Sequence, residues 1–117
     1  MRDIKGYEGK YAITEDGKIW SYVYKKLLKP SLDRDGYEIV WLYDKNRKVK
    51  ALKIHRLVAE TYIPNPDYLP QVNHKDENKQ NNNVSNLEWC TGKYNANYGT
   101  RNKRISDIQK RRLTPNV

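Results

Sequence analysis

The 117-residue chain contains no phenylalanine, one cysteine and two histidines. Each shortage excludes something. A lone thiol, Cys90, can form neither an internal disulfide nor a four-cysteine zinc site, and it fits a reducing, intracellular setting. No apolar run approaches the roughly 18 residues that a membrane span requires. The opening MRDIKGYEGK lacks the apolar core of a secretory signal. Without Phe, aromatic packing falls to ten Tyr and three Trp, rings that bury a face while keeping a polar handle. Hydrophobic residues make up only 37%. The expected core is therefore thin, in one compact domain or one small domain with an appendage.

What the chain has in excess is positive charge, and it is unevenly placed. The formal net charge is +9. Residues 1–50 carry 12 Lys/Arg against 8 Asp/Glu, residues 51–100 carry 5 against 5, and residues 101–117 carry 6 against 1. A neutral middle between two basic flanks suits a polyanion gripped at its edges and presented to the centre. A soluble basic protein with solvated lysines has the same totals.

The first half reads as short strands. KYAIT (10–14) and KIWSYVY (18–24) alternate across the turn signal EDG, and YEIVWLY (37–43) and KVKALKI (48–54) follow the turns DRDG and DKNR. Their spacing of roughly ten residues predicts an antiparallel meander. At IHRLVAETYI (54–63) the apolar period turns helical, and PNP (64–66) ends it. An extended LPQVNH (69–74), an Asn-rich loop and a short strand NLEWC (86–90) come next. Thr91 is an N-cap candidate for a helix through GKYNANYG, with Gly99 as its stop. The expected fold is α+β, divided as an N-terminal sheet segment (1–53), a linking helix with a strand–loop–strand–helix unit (54–100) and a basic tail (101–117).

That last unit carries the chemistry. His74 ends its first strand with Asn73 just before it, Asn86 begins the second strand, and Asn95 falls on the first turn of the helix. A two-strand hairpin packed on a helix can bring a strand-end His and a first-turn Asn face to face. A hard divalent cation fits between them on amide oxygens and water, with the His placed to take a proton from a nucleophilic water. Asn81, Asn82 and Asn83 read as loop residues, because Asn tolerates left-handed geometry and bonds nearby backbone. DENKQN (76–81) lacks the Gly and closing Glu of a calcium loop. His55, beside Arg56 on the amphipathic helix, reads as structural or phosphate-adjacent, and Cys90 as core.

The stretch VNHKDENKQNNNVSNLEWCTGKYN resembles the HNH homing endonucleases of phages and group I introns, built on the ββα-metal fold. DIKGYEGKYAITEDGKIWS is similar to the small β segment that precedes the nuclease in that family, and HRLVAETYIPNP to the helix that joins the two. The resemblance implies His74 as general base, Asn86 as the residue that ties the strands and steadies the His, and Asn73 and Asn95 as metal ligands. It also implies hydrolysis of a phosphodiester in double-stranded DNA with one Mg²⁺ or Mn²⁺, by a monomer or homodimer acting without a membrane. The setting would be the cytoplasm of a bacterium or a phage-infected host. With Asn at both 73 and 95 these ligands bring no formal charge, so the scissile phosphate is expected to supply much of the metal affinity.

Candidate DNA contacts are Lys25, Lys26, Lys29 and Arg56 near the sheet and helix, and Arg101, Lys103, Arg104, Lys110, Arg111 and Arg112 in the tail. Two other readings of the same residues stay open. One is a non-catalytic DNA-binding protein on a nuclease-derived scaffold, and the other a basic protein whose exposed aromatics stack single-stranded RNA.

Overall fold

A computed structural model describes residues 1–98. The Gly99 stop and the six cationic residues proposed between 101 and 112 lie outside the described residues. Two antiparallel sheets, rather than one meander, form the first half. Strands β1 (Arg2–Asp3), β2 (Tyr11–Ile13), β3 (Ile19–Ser21) and β4 (Lys26–Leu28) pair in sequence order, and β5 (Ser31–Leu32), β6 (Glu38–Tyr43) and β7 (Val49–Lys53) form a second sheet. The break falls at Pro30, which has no N–H to give to a ladder.

The three expected turns share one construction. In each, an acceptor side chain at the strand end bonds backbone N–H groups two or four residues on, and the chain turns through a left-handed residue. Asp33 Oδ1 accepts from the amides of Asp35 and Tyr37, both at 2.9 Å, with Gly36 at φ 87°. Asp44 Oδ1 accepts from Asn46 and Lys48 at 2.8 and 3.0 Å, with Arg47 at φ 63°. Thr14 Oγ1 accepts from the Lys18 amide at 2.9 Å, with Gly17 at φ 83°.

The alternating run 18–24 does not stay extended to its end. The strand stops at Ser21, whose buried hydroxyl accepts from the Tyr24 amide at 3.2 Å, and residues 22–25 turn with Lys25 at φ 52°. The reversal lets Lys26–Leu28 pair back on β3, a partner that alternation alone does not reveal. Tyr22, Val23 and Tyr24 are left exposed at the bend.

Helix α1 (Ile54–Tyr62) begins where β7 ends and buries Ile54, Leu57, Val58 and Ala59. It occupies the centre of a single apolar cluster. Ile4, Tyr11, Ile13 and Ile19 come to it from the first sheet, Val40 and Leu42 from the second, and Val72 and Leu87 from the hairpin β8 (Gln71–His74) and β9 (Leu87–Cys90). Polar groups secure the seams. Tyr62 donates to the Ile13 carbonyl at 2.5 Å, Trp89 Nε1 to the Ile63 carbonyl at 3.0 Å, and Arg56 to the Pro70 carbonyl at 2.9 Å. A short helix α2 (Gly92–Ala96) closes the unit, capped as expected by Thr91, whose hydroxyl accepts from the Tyr94 amide at 3.1 Å. Among the described residues no helix is long and apolar enough to cross a membrane.

Gly17 joins the first sheet to the loop between β8 and β9. Its turn approaches so closely that an added Cβ would lie 2.9 Å from Asn82 Cβ and 3.2 Å from Ile54 Cγ2, and beside it Val84 donates its amide to the Glu15 carbonyl at 2.7 Å. Gly17→Ala therefore meets both backbone strain and a steric clash. It should cost about 1–3 kcal/mol, read as a lower urea midpoint at unchanged slope. An unchanged midpoint would mean that the turn and the loop are not held together.

Candidate active site

The hairpin places its polar residues by register. Asn73 stands opposite Glu88 and His74 opposite Leu87, and all of β8 except Gln71 is buried. Asn73 Nδ2 donates to Glu88 Oε1 across the pair at 2.9 Å. From α2, Asn95 Nδ2 donates to Gln71 Oε1 at 2.9 Å. The Glu88 carboxylate only accepts, so it fixes the Asn73 amide and leaves the Asn73 carbonyl oxygen as the atom to offer to a cation, while Asn95 pairs with a second amide, Gln71. Both residues line one cavity of about 110 Å³, together with His74, Tyr37, Val72, Glu77 and Lys79. Among the described residues there is no cluster of three or more His, Cys, Asp or Glu that could hold a metal. Amide oxygens and a carboxylate are hard donors, so Asn73, Asn95 and Glu77 on this wall would suit a hard divalent cation rather than a soft one.

Asn86 sits in a 3₁₀ turn (Val84–Asn86) just ahead of β9 instead of opening the strand. Its amide clamps the loop. Oδ1 accepts from the Asp76 amide at 3.0 Å, while Nδ2 donates to Asp76 Oδ1 and the Asn81 carbonyl, both at 2.9 Å. Asp76 is the hub on the other side, accepting also from Asn81 Nδ2 and the Asn78 amide, each at 2.8 Å. The Asn81 bond, followed by the Asn78 amide, holds the Asp76 carboxyl below its usual range.

The His74 ring is met from elsewhere. Asn82 is buried, 2% exposed, with Oδ1 2.8 Å from His74 Nε2 and Nδ2 donating to Glu38 Oε1 at 2.8 Å. The triple Asn thus divides. Asn83 caps the 3₁₀ turn through Ser85, Asn81 binds Asp76, and Asn82 belongs to the site. Sequence reading placed all three in the loop and missed Asn82, and nothing local separates them. Glu38, Tyr37, Glu77 and Lys79 were missed as well.

Rings and cations surround His74. Its centroid lies 4.9 Å from that of His55 and 5.9 Å from that of Tyr37, and Tyr37 stacks on His55 at 4.9 Å. Lys53 and Lys79 reach the Tyr37 ring at 4.8 and 4.9 Å. Cationic charge thus gathers beside a polar cavity.

Comparison with known proteins matches this architecture in two parts. Residues 52–97 match the HNH endonuclease family model and residues 2–43 the NUMOD4 motif. The chain is 55% identical over 85 residues to an uncharacterized HNH endonuclease of Acanthamoeba polyphaga mimivirus, covering 73% of this chain and 26% of that protein. It is 42% identical over 95 residues to DNA endonuclease I-HmuI of Bacillus phage SP01, covering 81% and 54%. A structure describing DNA binding and cleavage by the HNH homing endonuclease I-HmuI superposes with a TM-score of 0.75 at 36% identity, over 92% of this chain and 66% of that one. The chain belongs to the HNH endonuclease family.

It spans about a quarter to a half of the length of these two curated relatives. Within the HNH unit, Arg56 lines a second depression beside the cavity with His55, Gln71 and Asn95, while bonded to Pro70 and 4.0 Å from Glu60. Lys25, Lys26 and Lys29 are exposed on and around the first sheet, and none of them lines the cavity.

His55 is buried as His74 is, and its Nδ1 has no hydrogen-bond partner among the described residues. Burial, then the neighbouring His74, Lys53 and Arg56, push its pKa from the ordinary 6.5 down to about 3. The fold therefore holds His55 neutral while the unfolded chain takes up a proton below 6.5. The stability this contributes is complete above that pH and is lost progressively as pH falls toward 3. Between about pH 7.5 and about pH 5 the metal-free protein should lose about 1–2 kcal/mol more than His55→Phe does, measured by urea unfolding. Equal losses in the two proteins would show that His55 is not the acid-sensitive group.

Proposed function

We propose that the chain is a metal-dependent endonuclease that hydrolyses a phosphodiester of double-stranded DNA, with His74 as general base. The observation that carries this reading is the convergence of His74, Asn73 and Asn95, from a strand and a separate helix, on one small polar cavity. The membership and the likeness to I-HmuI support it.

Asn82 presents an oxygen to His74 Nε2, so the neutral ring carries its hydrogen there and its lone pair on Nδ1. In the proposed reaction Nδ1 takes the proton of a water whose oxygen attacks phosphorus. The bond from phosphorus to the 3′ oxygen breaks, the 3′ oxygen takes up a proton from solvent, and a 5′ phosphate remains. Asn73 and Asn95 would hold one Mg²⁺ or Mn²⁺ through their carbonyl oxygens. When bound, that cation supplies positive charge to the phosphate and the departing oxygen. Lys53 and Lys79, gathered on Tyr37 at the cavity, add charge that draws the DNA backbone inward. The outer cationic residues, Lys25, Lys26, Lys29 and Arg56 with those of the tail, would hold flanking phosphates. One such site cuts one strand per engagement, so a double-strand break would require a second copy or a second encounter.

The test is cleavage of supercoiled plasmid. The wild type should give nicked circles with Mg²⁺ or Mn²⁺ and none in a chelator. His74→Ala should be at least about 100-fold slower while still binding duplex. Equal cutting by the two proteins, or binding without cutting by both, would overturn the assignment.

A further inference from the structure

We infer that Glu38, a residue of the second sheet outside the hairpin, is a positioning residue that selects the tautomer of His74 through the side chain of Asn82. The inference rests on the reading of His74 as general base.

An Asn side chain can face a neighbour with either its oxygen or its nitrogen, and nothing intrinsic to Asn82 decides between them. Glu38 decides. A carboxylate oxygen only accepts, so the group of Asn82 that lies 2.8 Å from Glu38 Oε1 must be its NH₂. The opposite end, 2.8 Å from His74 Nε2, is then the carbonyl oxygen, which also only accepts. Nε2 must therefore be the protonated nitrogen and Nδ1 the basic one. Three side chains separated by 44 and 8 residues form one directed chain of hydrogen bonds, Glu38 to Asn82 to His74.

The surroundings keep the amide in place. Asn82 is 2% exposed, and the turn of the first sheet packs against it so closely that only Gly fits at position 17. Reversing the amide would set its oxygen against the part-buried Glu38 carboxylate, a repulsive contact, and would require the ring to move its hydrogen to Nδ1. The second sheet thereby sets the chemical state of a group on the hairpin. Glu38 follows directly on Tyr37, which stacks in the same ring cluster, so one strand end both packs and orients the site.

The experiment is ring ¹⁵N NMR of the metal-free full chain at about pH 8.5, where an imidazole is neutral, paired with steady-state plasmid cleavage. With only two histidines, the spectrum of His74→Ala assigns the signals. Wild type should show Nε2 protonated and Nδ1 unprotonated in a single state. Glu38→Gln can either accept or donate, so it should mix the two tautomers and lower kcat by about tenfold with KM within about twofold. Glu38→Gln combined with Asn82→Asp moves the carboxylate next to the ring. An Asp at 82 has no amide to reverse, so the double variant should restore the single tautomer and bring kcat to within about threefold of wild type.

A single unchanged tautomer in Glu38→Gln would overturn the inference, whether kcat falls or not. So would failure of the double variant to restore it. If instead His74→Ala cleaves DNA as well as wild type, the general-base reading fails while the tautomer result stands, so the two failures are distinguishable.

Discussion

A buried primary amide has two donors and two acceptors and no bulk water to meet them, and Asn82 is such an amide at the meeting point of the molecule. The first sheet packs against it at Gly17, the second sheet bonds it through Glu38, and the hairpin presents it with His74. Each of the three units must be in its final place for this one side chain to be satisfied. The loop that carries it is held in turn by Asn86 and Asp76, so the hydrogen bonds within residues 75–86 serve to deliver Asn82 to its position.

The same logic extends through the cavity. A site built from amides has to settle which end of each amide faces inward, and here two of the three have a carboxylate behind them. Glu88 orients Asn73 and Glu38 orients Asn82, while Asn95 pairs with the amide of Gln71. Carboxylates standing one step back thus turn neutral side chains into directed oxygen donors. The arrangement also bears on charge. Asn73 and Asn95 are neutral, but Glu77 sits on the cavity wall, and Lys53 and Lys79 lie against the ring of Tyr37. A cation and a phosphate bound there, as proposed, would meet a field that is mixed in sign and made largely of fixed dipoles.

Much of this was legible in the sequence because it is local. The turns EDG, DRDG and DKNR, the helix ended by PNP, the strand ending at His74 and the cap at Thr91 all depend on residues a few positions apart. The spacing that carried the resemblance to HNH endonucleases is local in the same sense. What was not legible depends on partners far along the chain. Alternation through KIWSYVY could not reveal that Ser21 ends the strand, because the reason is the return of Lys26–Leu28. Three adjacent Asn look alike until Glu38, 44 residues earlier, selects the middle one. Tyr37 read as the first residue of a strand, and only the fold shows it covering His55 and His74.

In the proposed site, Asn73 and Asn95, two amides from different elements, together hold one cation beside His74. Anomalous X-ray diffraction from the full chain crystallised with duplex DNA and Mn²⁺ tests it most directly. One anomalous peak is expected in the cavity, bounded by the Asn73 and Asn95 side-chain oxygens and a DNA phosphate. A peak held by other residues, or a DNA-bound cavity with no peak, would contradict it.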